Sequence, residues 1–216
     1  MKKILLIGGE EGINVVEFIE EISEYEILGF LNDREEAGTI IGKYPVLAKT
    51  SEWNKFNDCY FVFTIFRYFG MLERFSLLKN LCIPLDRFPT IIHPLAYVAK
   101  TSNIGKGVVV YPFAKIHSYA EIGNFCSIRS GANIGHGSLL GEFNYIGPNA
   151  VLSGHVKTEE GVYIAPNATI NPWLELGKYS MVGSNSTIYK NVDEFKILQC
   201  MPARVLGRTD EQLISH

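Results

Sequence analysis

The chain has 216 residues, 47% hydrophobic and 20% charged, with a net charge of −3. That is a globular balance, and without a basic excess there is no electrostatic footprint for nucleic acid. The apolar run Tyr60–Phe66 is too short to span a bilayer, and the run after Lys2-Lys3 is too short for a secretory signal. Four cysteines (Cys59, Cys82, Cys126 and Cys200) lack metal-ligand spacing and read as reduced thiols, so a cytoplasmic protein is expected.

In chain order, Lys2–Ile7 reads as a buried strand and Gly8-Gly9-Glu10-Glu11-Gly12 as the turn after it. Val15, Val16, Phe18, Ile19 and Ile22 fall at helical spacing and predict a helix over Asn14–Ile22. Glu26–Leu31 is a second strand, ended by Asn32-Asp33. Leu47–Phe56 is weakly patterned and predicts a short helix, followed by an apolar strand over Cys59–Phe66. Met71–Leu81 reads as a helix with Leu72, Phe75, Leu78 and Leu81 inward. Alternating strands and helices predict a small Rossmann-like α/β domain over residues 1–90 with a parallel sheet.

From Ile92 to Ile188 the sequence repeats every six residues. Seventeen positions, from Ile92, Val98 and Ile104 through to Leu176, Val182 and Ile188, carry sixteen aliphatic side chains; Thr158 is the exception. Glycine recurs just after the aliphatic residue, at Gly105, Gly123, Gly135, Gly141, Gly147, Gly177 and Gly183, where it is expected to ease the turn. A fixed hexapeptide period is the signature of a parallel β-helix. Three strand-and-turn units make a triangular coil of eighteen residues, and coils stack at about 4.8 Å. The expected fold is therefore an α/β domain followed by a left-handed parallel β-helix over 91–192. A C-terminal extension over 193–216 follows, with a short helix or frayed end at Asp210–Ser215.

Within the repeat, His117, His136 and His155 lie nineteen residues apart, one more than a coil, and Trp173 continues the column. Such a ladder at one corner offers a general base, because neutral imidazole accepts a proton near pH 7. Turn residues also simply face solvent, and that plainer reading suits His117 and His155. No histidine pair or carboxylate set has zinc-ligand spacing, so no metal is expected. Gly147, Ala165 and Gly183 form a small-residue column that would leave backbone amides open to a pantetheine arm, with Lys190, Arg204 and Arg208 near its end. The GGEEG turn is a weak phosphate signal, since Glu10 and Glu11 would repel a pyrophosphate.

The segments KILLIG, GFLND, IIHPLAYV and SGANIGHG together resemble the sialic acid O-acetyltransferase (NeuD/PglD-type) family of bacterial sugar acyltransferases, over nearly the whole chain. The resemblance implies a homotrimer with active sites between adjacent prisms. It implies acetyl-CoA as donor and a glycan sugar, in several members nucleotide-linked, as acceptor. The family's catalytic histidine falls at His136, after Arg129-Ser130-Gly131-Ala132, where the family usually has asparagine in place of Arg129. The acidic residue usual after that histidine is Gly137 here, and a second family histidine that contacts the donor aligns with Tyr145. The expected donor-binding set is Tyr145, Gly154, Ala165, Gly183 and Lys190. The expected acceptor-binding set is Gly8, Gly9, Asn32 and Asp33, the last two replacing a family Asp-Asp pair.

The reading is an acetyl-CoA-dependent sugar acetyltransferase in surface glycan biosynthesis, with His136 as base and no membrane span. The acceptor attacks directly, because no serine or cysteine is paired to a histidine. The rival is a catalytically weakened sugar- or nucleotide-binding scaffold, motivated by Gly137 and by Glu10-Glu11. Glu121 and Glu142 are the acidic residues that could replace the missing partner of His136; a main-chain carbonyl is the other choice.

Overall fold

The computed structural model describes residues 1–65 and 70–199. Strand β1 (Lys2–Ile7), helix α1 (Ile13–Ile22), strand β2 (Tyr25–Leu31), a hairpin of β3 (Ile40–Ile41) and β4 (Tyr44–Ala48), strand β5 (Cys59–Phe63) and helix α2 (Met71–Leu81) make the N-terminal domain. Its sheet runs β3-β4-β2-β1-β5, parallel except for the β3–β4 hairpin. The short helix expected over Leu47–Phe56 is a 3-10 helix at Thr50–Lys55, and the first residues of the range are the end of β4. Strand β4 carries Pro45, which pairs antiparallel with Ile40 of the two-residue edge strand β3.

Helix α1 buries Val15, Val16, Phe18 and Ile19, as its spacing predicts. Helix α2 turns three of its four expected residues inward: Leu78 is buried, and Phe75 and Leu81 pack against the same core, while Leu72 is exposed. Met71 and Arg74 are buried beside them. The Arg74 guanidinium reaches two main-chain carbonyls of the neighbouring domain, donating to Phe125 at 3.1 Å and Phe143 at 3.3 Å. A buried charge is tolerated only with such partners. Burial still lowers its pKa, to about 10.

The hexapeptide region is a three-sided prism of two-residue parallel strands. The first face holds Tyr97–Val98, Lys115–Ile116, Asn133–Ile134, Val151–Leu152, Thr169–Ile170 and Thr187–Ile188; the second begins at Asn103–Ile104 and the third at Ile91–Ile92. Ladder partners are eighteen residues apart, as in Ile116, Ile134 and Leu152. The aliphatic column fills the interior: Ile116, Ile128, Ile134, Ile146 and Ile164 are fully buried. The first coil is less covered: Val98 and Ile104 are half-buried, and Ile92 is 36% exposed, because it has a neighbour on one side only. Thr158 is buried, and its hydroxyl has no hydrogen-bond partner among the described residues. The prism also runs further than expected. Ile197–Leu198, in the stretch assigned to the C-terminal extension, adds a seventh strand to the third face. Arg204, Arg208 and the helix expected at Asp210–Ser215 lie outside the described residues.

Every turn from Gly107 to Asn185 has one residue at positive φ, again six apart and three after the aliphatic position. The glycines one after the aliphatic residue therefore serve a different purpose from the one expected. A Cβ on Gly135 would stand 2.5 Å from the Ser153 carbonyl carbon, and one on Gly123 2.6 Å from that of Gly141. They allow coils to stack closely. The left-handed positions form three columns. One corner, between the second and third faces, carries Gly107, Phe125, Phe143, Gly161 and Tyr179. The next, between the third and first, carries Phe113, Gly131, Asn149, Asn167 and Asn185. The last, between the first and second, carries Tyr119, Gly137, His155 and Trp173.

The N-terminal domain docks on the third face and the first of these corners. Phe18 of α1 sits edge-on to both His93 and Tyr111, each at 4.9 Å. Phe125 and Phe143 stack at 5.0 Å and join the core under β1, β5 and α2. His93 accepts from the Leu95 amide and contacts Glu21 at 3.1 Å, fastening α1 to the start of the prism.

Candidate active site

The four expected acceptor-binding residues converge. Gly8, Gly9, Asn32 and Asp33 line one cleft of about 640 Å³ at the C-terminal ends of β1, β2 and β5, the edge where open α/β sheets bind ligands. Arg34, Thr50 and Arg74 complete it; no pattern in the sequence marked Thr50 or Arg74. Five carboxylates line it (Glu10, Glu11, Asp33, Glu35 and Glu73) against two guanidinium groups, Arg34 and Arg74. Two of the four candidates are already engaged. The Asn32 amide donates to the Gly8 carbonyl and accepts from the Arg34 and Glu35 amides. The Asp33 carboxylate accepts from the amide and hydroxyl of Thr50 at 2.8 and 2.6 Å. Gly8, at φ 150°, lies against the Thr64 hydroxyl, so its missing side chain serves packing.

His136 stands on the opposite side of the prism. It is the residue before Gly137, on the corner between the first and second faces, and a triangle puts that corner opposite the third face. Its exposed ring lies over Gly154, where a Cβ would stand 2.6 Å from Cε1. It is perpendicular to the ring of His155, at 4.9 Å between centroids, and His155 in turn stacks on Trp173 at 3.9 Å. The expected ladder of three is thus a pair, because His117 lies beside Tyr97 at 6.1 Å. The ring nitrogens of His136 have no hydrogen-bond partner among the described residues. Neither acidic candidate supplies one: Glu142 accepts from Asn124, and Glu121 sits exposed on the second face.

The donor set divides as well. Gly154 belongs with His136. Tyr145 and Ala165 lie on the third-face side, in one apolar cluster with Met71, Tyr163 and Met181, and Tyr145 stacks on Tyr163 at 4.6 Å. Arg129, where the resemblance implies asparagine, lies over Tyr111 and Tyr145 at 4.0 and 5.5 Å. Lys190 is exposed beyond the last strand of the first face. One expectation fails outright. The amides of Gly147, Ala165 and Gly183 are not open, since each donates to a carbonyl of the next coil: Ile164, Val182 and Leu198. Stacking of parallel coils uses those groups.

Among the described residues no cluster of three or more His, Cys, Asp or Glu is placed to hold a metal, and no helix is long and apolar enough to cross a membrane. Cys59, Cys82 and Cys126 are free thiols; complete burial pushes Cys126 up to about 12.

No family model matches the chain, and neither does any curated relative. Solved structures do. The acetyltransferase domain of PglB from Neisseria gonorrhoeae, in complex with acetyl coenzyme A, is 26% identical, with a TM-score of 0.82 over 95% of this chain and 99% of that one. A perosamine N-acetyltransferase variant from Caulobacter crescentus, in complex with CoA and GDP-perosamine, is 21% identical, with a TM-score of 0.81 over 95% and 97%. WeeI from Acinetobacter baumannii is 22% identical, with a TM-score of 0.76 over 94% and 99%. At these identities the last two establish the fold: an α/β domain on a left-handed β-helix.

Proposed function

We propose that this protein transfers an acetyl group from acetyl-CoA to an amino or hydroxyl group of a bacterial sugar, nucleotide-linked, in surface glycan biosynthesis. The observation that carries the reading is the agreement in fold, cleft-bearing domain and prism together, with an acetyltransferase domain bound to acetyl-CoA. The acceptor's nucleophile attacks the thioester carbonyl carbon while His136 takes its proton. The C–S bond then breaks, and the departing thiolate recovers the proton from the imidazolium. Attack is taken as direct because no serine or cysteine is paired to a histidine in the sequence; the Cys126 thiol, buried and pushed up to about 12, is no rival nucleophile.

The acceptor cleft and Tyr145 lie on the third-face side of one chain and His136 on the opposite corner. One chain does not join them, but a second copy that lays its histidine corner against the first does. A closed threefold ring, the homotrimer the resemblance implies, forms three such sites. Tyr145, Gly154, Ala165, Gly183 and Lys190 then serve the donor, and Gly8, Gly9, Asn32 and Asp33 the acceptor, in a cytoplasmic enzyme supplied with acetyl-CoA. Sialic-acid-type O-acetylation is one form of this activity.

The second reading, a sugar- or nucleotide-binding scaffold, is favoured by the lack of a carboxylate at Gly137 and by Glu10 and Glu11 on the cleft. One assay separates the two: release of CoA thiol from acetyl-CoA with UDP- and GDP-linked amino sugars and with sialic acid. Turnover that falls about 10²–10⁴-fold in His136→Ala supports the enzyme. Tight sugar binding without any thiol release sinks it.

A further inference from the structure

Residue 137 and residue 155 occupy one column of the prism, eighteen residues apart, and compete for one space. Gly137 has φ 63°, and a Cβ there would stand 2.6 Å from Nδ1 and 2.7 Å from Cε1 of His155. A carboxylate beside His136 and a ring at 155 in its observed pose therefore exclude one another. This chain has the ring.

That ring is held on more than one side. Trp173, one coil further on, lies parallel to it at 3.9 Å and 11°. The His155 amide donates to the His136 carbonyl at 2.9 Å, which ties the two residues through the backbone. The His136 ring stands at 86° to the His155 ring, a favourable arrangement for two aromatic groups, and Gly154 closes the space beneath it. His136 is thus bounded by an imidazole wall and by backbone, on a corner that is otherwise exposed.

We propose that His155, clamped by Trp173 and admitted by the bare Gly137, is the positioning residue that fixes the ring of His136 in place of the absent carboxylate. The proposal rests on His136 being the general base. A base turned away from its proton loses rate without losing substrate, because orientation acts on the transition state more than on binding; misplacement by about 1 Å costs up to roughly 10²-fold.

The test uses the full-length chain and two readouts. The first is the split between kcat and KM for acetyl transfer. The second is ¹³C relaxation of the His136 ring carbons by NMR, which reports how freely the ring reorients without any turnover. His155→Ala is expected to lower kcat about ten- to a hundredfold with both KM values within about twofold. It is also expected to free the His136 ring, seen as faster reorientation in its ¹³C relaxation. His155→Phe, which keeps a flat ring on Trp173, is expected to recover most of the rate. Unchanged kcat and unchanged His136 ring relaxation in His155→Ala would overturn the proposal. So would a loss of rate that His155→Phe fails to recover at all, or one accompanied by loss of the assembled particle in light scattering. His136→Ala with full activity removes the base assignment instead, and is read apart from the His155 series.

Discussion

A Cβ placed on Gly137 would stand 2.6 Å from Nδ1 of His155. Gly137→Asp, which supplies the acidic neighbour that the resemblance implies, is therefore expected to destabilise the chain. The cost is about 1–3 kcal/mol from left-handed backbone and overpacking. Gly137→Asp with His155→Gly should be less destabilised than the sum of the two single variants, because the clash is shared. Chemical denaturation of the four proteins in the cycle measures the coupling; strict additivity would mean the two positions do not compete.

Thr158 interrupts an aliphatic column with a buried, unpartnered hydroxyl. Thr158→Val keeps the shape and removes the unmet polar atom, so it should stabilise the prism by about 1 kcal/mol. A thermal melt of the two proteins checks this, and a lower midpoint in the variant would contradict it.

Arg74 joins α2 to the carbonyls of Phe125 and Phe143 across the domain boundary. Arg74→Met fills the space but leaves both carbonyls without that donor. A loss of about 2–4 kcal/mol is expected. Proteolysis should show the N-terminal domain loosened first, with the prism left intact. Resistance equal to wild type would show that stacking among Phe75, Phe125 and Phe143 suffices.

Glu20 on α1 accepts from Tyr44 at 2.6 Å and from Lys43 at 2.9 Å, holding the β3–β4 hairpin. The Tyr44 bond, with Lys43, lowers the Glu20 pKa below 4.5. A carboxylate lowered by folding stabilises above its unfolded pKa and loses that contribution as pH falls through the folded value. Glu20→Gln should therefore be less stable than wild type at pH 7, by under about 1 kcal/mol for so exposed a group. The difference should close once the pH falls below 4.5 and through the folded pKa. A gap that persists at pH 2 would assign the effect to something other than the charge.

If each site takes His136 from one chain and Tyr145 from the next, His136→Ala and Tyr145→Ala chains should complement one another. Random assortment into closed rings leaves roughly a quarter of the sites with both residues. Co-refolded mixtures should show activity that neither pure variant has, whereas a site within one chain gives no recovery.

The prism was legible because each coil meets only its neighbours, so one repeat distance in the sequence states the packing. The cleft was legible to the extent that Gly8, Gly9, Asn32 and Asp33 end strands of one sheet. Arg74 was not, because its partners lie 51 and 69 residues away and a charged residue carries no apolar signal. The His136–His155 contact was only half visible. Spacing put the rings on one corner and the sequence shows glycine at 137, but that a Cβ there would strike the His155 ring depends on the pose of that ring. The glycines one after each aliphatic residue misled for the same reason: their frequency is plain, while the distance to the next coil is not.

The last coil closes after sixteen residues, with Met181 opposite Ile197. Every other ladder of the third face keeps eighteen. The two residues are lost between the first and second faces, since Leu176 already pairs with Val192, sixteen residues on, while Ile170 and Ile188 keep eighteen. The regular repeat therefore ends at Ile188, and the closing triangle is set by the length of one turn rather than by the hexapeptide period.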